Sequence, residues 1–306
     1  MTSSIAAIVV NYNAGALLRG CIESLLACPL DIETIVVDNA SSDQSLGALP
    51  ESPRVRVIRN TDNMGFSAAC NIGIKAATSA SFFFFLNPDC RFEPEALTTL
   101  LSELEGGKYD HVGMAGGLLM NEDGSEQEGC RRTVPSPWLS FVRAFGLHRF
   151  SALFPKLFPD FHLHKQPLPD KTVEIEAISG ACMLVKRAAI EDVGLWDEAY
   201  FLHCEDMDWC MRFRAKGWKI IFVPHARFSH ALGACSRSRH VFVEWHKHKG
   251  MIRFYRKFFR ADYPSLLMGL VILGVWLRFT LVVLRHVLRR LVSSISGKPC
   301  QNARTA

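Results

Sequence analysis

The chain has 306 residues, of which 49% are hydrophobic and 21 are Phe, enough apolar material to build a substantial core. That composition excludes a wholly disordered chain and fits one large α/β domain with an appendage, or two small domains. The net charge of +5 is unevenly spread: residues 1–235 carry 21 Lys/Arg against 28 Asp/Glu, whereas residues 236–306 carry 14 against two. Such a tail is suited to an anionic partner, either phospholipid headgroups or nucleic acid. The ten Cys form no C-x-x-C pair, and Cys21, Cys70 and Cys182 lie in apolar or motif-like stretches. Free thiols in a reduced, cytosolic compartment are therefore expected. Residues 1–10 lack a basic n-region and a long apolar h-region, so they read as a first strand and not as a signal peptide.

Residues 5–10 form an apolar, β-branched run that ends on Asn11-Tyr12-Asn13. Leu17, Leu18, Cys21, Ile22, Leu25 and Leu26 then share a helical stripe. A second strand, 33–37, runs into Asp38-Asn39-Ala40-Ser41-Ser42-Asp43, and a third, 55–58, closes on Asn60. Asn63-Met64-Gly65 is a turn opening a helix over 68–77. Residues 82–86 are uniformly apolar, which predicts a strand covered on both faces, and they stop at Asn87-Pro88-Asp89. Strands alternating with helices imply a mostly parallel sheet with helices on both faces. Ligands of such sheets bind beyond the carboxyl ends of the strands. All four polar clusters follow strand ends, so they are expected on one edge.

Further along, 113–120 reads as a strand, and 130–170, rich in Pro and Phe, as loop and short helices covering the site. A strand pair is expected over 174–187, a helix over 204–217 and a strand over 219–223. In the tail, Arg253, Arg256, Lys257 and Arg260 share one helical face beside Phe and Tyr, a pattern suited to the headgroup region. Residues 265–284 carry only Arg278 as a charge and are long enough to span a bilayer. Arg278, Arg285 and Arg289 recur at helical spacing, which suits an interfacial helix equally. The alternative is a core helix packed back on the domain. Nucleic acid is not expected, because the apolar run 266–277 has no part in such binding.

Four groups could carry chemistry. Asp89, at the end of a buried strand, could hold Mg²⁺ or Mn²⁺ against a diphosphate, or simply complete a turn. Asp38 and Asn39 could accept bonds from a nucleoside, or cap a turn. Glu205-Asp206-Met207-Asp208 could supply a general base whose neighbour tunes it, or complement a helix dipole, with Asp208 paired to Arg212. His230, after a strand, could bind metal or phosphate, or be a satisfied structural histidine.

In this order the motifs resemble glycosyltransferase family 2, inverting enzymes of the GT-A fold. The resemblance covers about 5–235. It rests on Ile8-Val9-Val10-Asn11-Tyr12-Asn13, Val36-Val37-Asp38-Asn39-Ala40-Ser41-Ser42-Asp43, and Asn63-Met64-Gly65 through Asn71-Ile72-Gly73. It continues with Leu86-Asn87-Pro88-Asp89, Gly180-Ala181-Cys182-Met183-Leu184, Val193-Gly194-Leu195-Trp196-Asp197-Glu198, Glu205-Asp206-x-Asp208-Trp209 with Arg212, Gly217-Trp218, and His230. Asn-Pro-Asp and the Glu-Asp-x-Asp string resemble the bacterial rhamnosyltransferase-like branch.

The resemblance implies a nucleotide-sugar-binding half, 1–120, an acceptor and catalytic-base half, 121–235, and a membrane-associating tail, 236–306, with membrane contact through 247–290. It implies that Asn11, Tyr12, Asn13, Asp38, Asn39, Asn63, Gly65, Asn71 and Asn87 line the donor, and that Asp89 and His230 meet the metal and diphosphate. Asp206 is implied as the base, with Glu205 as the second choice, and Asp197 and Glu198 would face the acceptor. The donor would be dTDP-L-rhamnose or another nucleotide sugar. The acceptor would be a lipid-linked glycan of a cell-surface polysaccharide, reached at the cytoplasmic face of the inner membrane. Transfer directly to polyprenyl phosphate, or a membrane adaptor that keeps only the nucleotide-binding fold, are the alternatives. Two departures stand out: Cys235-Ser236 where Ser or Thr is usual after the histidine, and His203-Cys204 before the acidic pair.

Overall fold

The computed structural model describes residues 4–106, 109–144, 146–151, 153–154, 157–158, 163–231 and 239–296. Its first half alternates strands and helices as the sequence pattern requires. β1 (Ile5–Asn11), α1 (Ala16–Ala27), β2 (Ile32–Asp38), β3 (Val55–Arg59), α2 (Phe66–Ala76) and β4 (Phe82–Leu86) follow one another. β3, β2, β1 and β4 lie side by side and all run parallel, with Asn11 level with Asp38 in the register. β5 (Cys90–Phe92), α3 (Pro94–Glu105), β6 (Val112–Met120), β7 (Arg131–Arg132) and α4 (Pro137–Ala144) come next. They are followed by β8 (Val173–Ile175), β9 (Ala177–Ile178), β10 (Cys182–Lys186), α5 (Arg187–Val193), α6 (Glu205–Ala215) and β11 (Lys219–His230).

The main sheet has the order β3-β2-β1-β4-β10-β6-β11-β5, with β8 also on β11. β10 runs antiparallel to both β4 and β6, so the second half of the sheet is mixed where the sequence suggested a more uniformly parallel one. The strand pair expected over 174–187 is three separate strands, of which β9 leaves the main sheet to pair with β7. β11 is much longer than the 219–223 expected, continuing through Pro224 with a register shift between Val223 and Arg227. Two helices, α3 and α5, have no counterpart in the expectations. In α3, Pro94 stands in the first turn beside Glu95, and Leu97, Leu100, Leu101 and Leu104 recur at helical spacing and are buried.

Each face of the sheet is covered by its own apolar cluster. Leu18, Cys21, Ile22 and Leu25 of α1 join the leucines of α3 on one face. Residues of α2, α5 and α6 cover the other. β4 serves both: Phe82, Phe84 and Leu86 enter the first cluster, Phe83 and Phe85 the second. Strict alternation in a wholly apolar strand is what a sheet covered on both sides demands. Phe85 packs edge-on against Trp196 and Trp209, with ring centroids 5.3 and 5.4 Å away. The eight cysteines among the described residues are free, and seven of them are buried.

The tail is two helices, α7 (His240–Phe258) and α8 (Ser265–Ser296). α7 does pack back on the domain: Ile252, Phe254 and Tyr255 are buried in the α2–α6 cluster. α8 does so much less, with Met268 and Val275 buried while Leu266, Leu270, Leu273, Leu277, Leu281 and Leu284 stay exposed. Its apolar stretch, Ser265–Val292, is 28 residues long and reaches a mean hydropathy of 2.3 over its most apolar 18 residues, enough to cross a membrane by length and composition.

Candidate active site

The polar clusters do meet along the carboxyl ends of β1–β4. The Asn11 side-chain amide donates to Asp38 Oδ1 at 2.7 Å, Ser41 Oγ at 3.0 Å and Ser45 Oγ at 2.9 Å. Ser41 Oγ also donates to Asp38 Oδ1 at 2.6 Å, and its backbone N–H to Asp38 Oδ2. Asn13, with φ of 53°, accepts the N–H groups of Ser42 and Asp43 on its Oδ1. The ring of Tyr12 lies under the Arg239 guanidinium, 5.2 Å from the centroid. Asn60 donates to Asn39, Asn39 to the Gly65 carbonyl, and the Gly65 N–H to Asn63 Oδ1. Gly65 is required: its φ is 88°, and a Cβ there would lie 2.7 Å from the Phe201 carbonyl oxygen.

Asp89 and His230 are brought together by chain crossing at the sheet edge. β4 ends at Asn87-Pro88-Asp89, β5 pairs antiparallel with the end of β11 so that His230 faces Cys90, and Ala231 N–H donates to the Asp89 carbonyl. His230 Nε2 lies 3.1 Å from Asp89 Oδ1, both side chains being buried. His230 Nδ1 lies 2.6 Å from Gln127 Oε1. The Gln127 amide nitrogen is committed to two acceptors, Asn121 Oδ1 and the His230 carbonyl, so its oxygen must face Nδ1. Nδ1 therefore carries a proton, and Nε2 faces a carboxylate oxygen, an approach that a proton or a divalent ion between the two satisfies. A second partner that fixes Nδ1 as a donor is the usual support of a metal-binding histidine. Asp89, Cys90 and His230 have their ligand atoms within 4.8 Å of one another. Burial drives the Cys90 thiol well above its ordinary range, and it donates to the Ala181 carbonyl, leaving an oxygen and a nitrogen ligand that fit a divalent ion.

The acidic pair opens α6. His203 and Cys204 both have positive φ, 68° and 69°, a costly conformation for two successive non-glycine residues. Gly250 of α7 lets this turn pack closely, since a Cβ there would lie 2.8 Å from the His203 carbonyl oxygen. His203 stays exposed at the surface of this turn, and its pKa is lowered by desolvation from the surrounding protein, with Lys247 adding to the effect. Asp206 accepts from the Arg132 guanidinium, from Gly180 N–H at 3.2 Å and from Met207 N–H at 2.8 Å. Burial raises its pKa, but the charge and hydrogen bond of Arg132 outweigh that and hold the carboxyl below its ordinary value. Glu205 differs. Desolvation first, then the charge of Asp206, push it up to about 8, and its Oε2 is buried without a partner among the described residues.

One short turn touches both acidic centres. In the link between β9 and β10, Gly180 N–H donates to Asp206, and the Ala181 carbonyl accepts from Asn87 N–H at 3.0 Å. Three expected site residues stand elsewhere. Asn71 bonds the Trp196 backbone in both directions and donates to Glu198 Oε1, fastening α2 to the segment before α6. Asp197 pairs with Arg253 and Lys257 of α7, each at 2.8 Å. Asp208 pairs with Arg212 at 2.7 Å, as expected, and also with Lys257 at 2.6 Å. Lys257 and Arg253, expected on a basic face suited to headgroups, instead bond acids of the domain. Arg132 and Gln127 were not foreseen. Each lies far along the chain from its partner and belongs to no recognisable motif. Cys235 and Ser236 lie outside the described residues.

Residues 6–131 match the family Glycosyl transferase family 2. An N-acetylglucosaminyl-diphospho-decaprenol L-rhamnosyltransferase of Mycobacterium tuberculosis is 28% identical over 243 residues, covering 75% of this chain and 76% of that protein. The dTDP-rhamnosyl transferase RfbF of Shigella flexneri is 24% identical over 240 residues, covering 76% of this chain and 71% of the other. Among solved structures, the mannosyltransferase PcManGT of Pyrobaculum calidifontis, in complex with GDP-Man and Mn²⁺, has a TM-score of 0.56. It is 14% identical and covers 88% of this chain and 68% of that one, a likeness of fold. With a GT-A-like α/β fold, a family 2 match over residues 6–131 and these relatives, the chain is a glycosyltransferase that resembles family 2 and, within it, the rhamnosyltransferases.

Proposed function

We propose that the protein transfers L-rhamnose from dTDP-L-rhamnose, with inversion, to a hydroxyl of a lipid-linked glycan at the cytoplasmic face of a bacterial inner membrane. The observation that carries the chemistry is the Ser179–Ala181 turn, bonded to the Asp89 loop on one side and to Asp206 on the other. The donor and acceptor classes are supported by the names of the two relatives, one acting on a decaprenol diphosphate sugar and one on a dTDP sugar.

In this reading the network of Asn11, Asp38 and Ser41 receives the nucleoside, beside Tyr12 and Asn13. Asp89 and His230 would hold Mg²⁺ or Mn²⁺, which would supply positive charge to the leaving diphosphate. Asp206, ionised at neutral pH by its pairing with Arg132, accepts the proton of the attacking hydroxyl from the face opposite the diphosphate. Glu205 is mostly protonated at that pH and so is the poorer base. No covalent enzyme intermediate is needed. Orientation of the two substrates supplies a large share of the acceleration, up to about 7–11 kcal/mol in well-aligned systems.

The test is release of nucleoside diphosphate by the purified protein with Mn²⁺ or Mg²⁺, a panel of nucleotide sugars and a polyprenyl diphosphate-linked sugar. Selective turnover of dTDP-rhamnose is expected. Turnover of another donor overturns the rhamnose assignment, and a product of the mass of a polyprenyl monophosphate sugar overturns the acceptor.

A further inference from the structure

The stretch around α4 is unlike the rest of the catalytic domain. From residue 129 to 159 there is no Asp or Glu, while the sequence of that stretch carries Arg131, Arg132, Arg143, Arg149 and Lys156. Within it, Trp138, Phe141, Phe150, Leu153, Phe154 and Leu157 are all exposed, Leu153 by 73%. These side chains are organised. Trp138 stacks on Phe141 with centroids 5.6 Å apart, and its indole N–H donates to the Leu157 carbonyl at 2.8 Å, joining α4 to the far end of the stretch. Phe158 lies against both Phe150 and Phe154. A run of large apolar groups packed on one another and open outward is costly in water, and marks a surface that meets something apolar.

The neighbourhood identifies the partner. α4 packs against α8, whose exposed leucines form the longest apolar surface among the described residues. Tyr255 of α7 donates to Ser140 of α4, fixing α4 beside the tail. Aromatic side chains, basic residues and an absence of acids, continuous with an apolar helix, is the composition of a segment that sits at the headgroup boundary of an anionic bilayer. We propose that the exposed groups of α4 and of Phe150, Leu153, Phe154 and Leu157 form a second bilayer contact, seated in the interface beside α8. The inference rests on the reading of α8 as a membrane element. Arg132, just upstream of α4, pairs with Asp206, so seating this segment would hold the Asp206 side of the cleft at headgroup level, where a lipid-linked diphosphate sugar is presented.

The test uses the full chain reconstituted in phosphatidylglycerol-containing vesicles with lipid brominated along the acyl chain, a contact quencher of tryptophan. Subtracting the spectrum of Trp138→Phe from that of the unaltered chain isolates Trp138, and Trp276→Phe isolates a residue of α8. Both components are expected to be quenched, and the double variant Leu153→Asp, Phe154→Asp is expected to restore Trp138 emission while Trp276 stays quenched. Quenching of Trp276 alone overturns the second contact and leaves the α8 reading standing. Quenching of neither overturns both. Trp138 quenching that survives the double variant assigns it to α8 alone, and so also overturns the proposal. An unquenched Trp138 in a chain whose mass is that of a dimer gives the face to a second copy.

Discussion

The two ends of the cleft are built on opposite principles. Along β1–β3, the polar side chains are mostly uncharged and, Asn11 Oδ1 excepted, bonded to one another: Asn11 and Ser41 donate to Asp38, Asn11 also to Ser45, and Asn60, Asn39 and Asn63 tie down the Gly65 turn. Around β4, β11 and α6, ionisable groups face each other with their bonding incomplete. His230 Nε2 meets Asp89 Oδ1, Glu205 has a buried oxygen without a partner among the described residues, and Asp206 leans on Arg132. The first arrangement is preformed. The second carries charge that a substrate or ion would complete, which is where chemistry, as distinct from recognition, is expected.

Substitutions can break or sharpen this contrast. The largest effect is expected from Asp206→Asn: diphosphate release should fall roughly 10²–10⁴-fold, the range of a lost general base, while nucleotide affinity measured by calorimetry stays level. Loss of affinity instead would place Asp206 among the binding groups. Asp38→Ala should do the reverse, weakening donor binding by about 1–3 kcal/mol as Asn11 loses its acceptor and the nucleoside its partner. A turnover defect with unchanged donor affinity would erase the distinction between the two ends.

Arg132→Leu acts more gently and on pH. Removing the guanidinium lets the Asp206 pKa rise, so the acid limb of kcat/KM should move to higher pH; an unmoved limb would show that this pair does not set the base. The smallest effect is on stability. The Glu205 pKa in the folded chain, about 8, lies above its ordinary 4.5, so between those values the folded state holds a proton that the unfolded chain has lost. Stability contributed by this group is thus full below about 4.5 and declines toward pH 8. Glu205→Gln should flatten that decline and raise the melting temperature most on the alkaline side; an equal change at pH 5 and pH 8 would refute the assignment.

The legibility of the sequence follows the same division. The β1–β4 half was readable because its interactions are local in topology: each polar cluster directly follows an apolar run, and parallel pairing aligns those ends automatically. Asp89, Asp206 and His230 were readable as motifs, but their companions were not. Arg132 is 74 residues from Asp206, and Gln127 is 103 residues from His230, each brought in by a strand whose direction no periodicity announces. The antiparallel insertion of β10 was hidden for the same reason, since an apolar run such as Cys182–Lys186 is compatible with either direction. For Asn71 the resemblance implied a place by the donor; what no motif announced is that its amide also holds the Trp196 backbone.

Lys257 has a wider consequence. One ammonium on α7 reaches both Asp197 and Asp208, and Asp208 stands one residue pair along from the proposed base on the same helix. A displacement of α7 would therefore be passed through this ammonium to α6. The same connection makes the tail unsafe to remove. A shortened chain lacking α7 would leave Asp208 with Arg212 alone and bare the apolar groups that Phe254 and Tyr255 now cover, so solubility gained by trimming would be lost again in the folding of the domain it was meant to liberate.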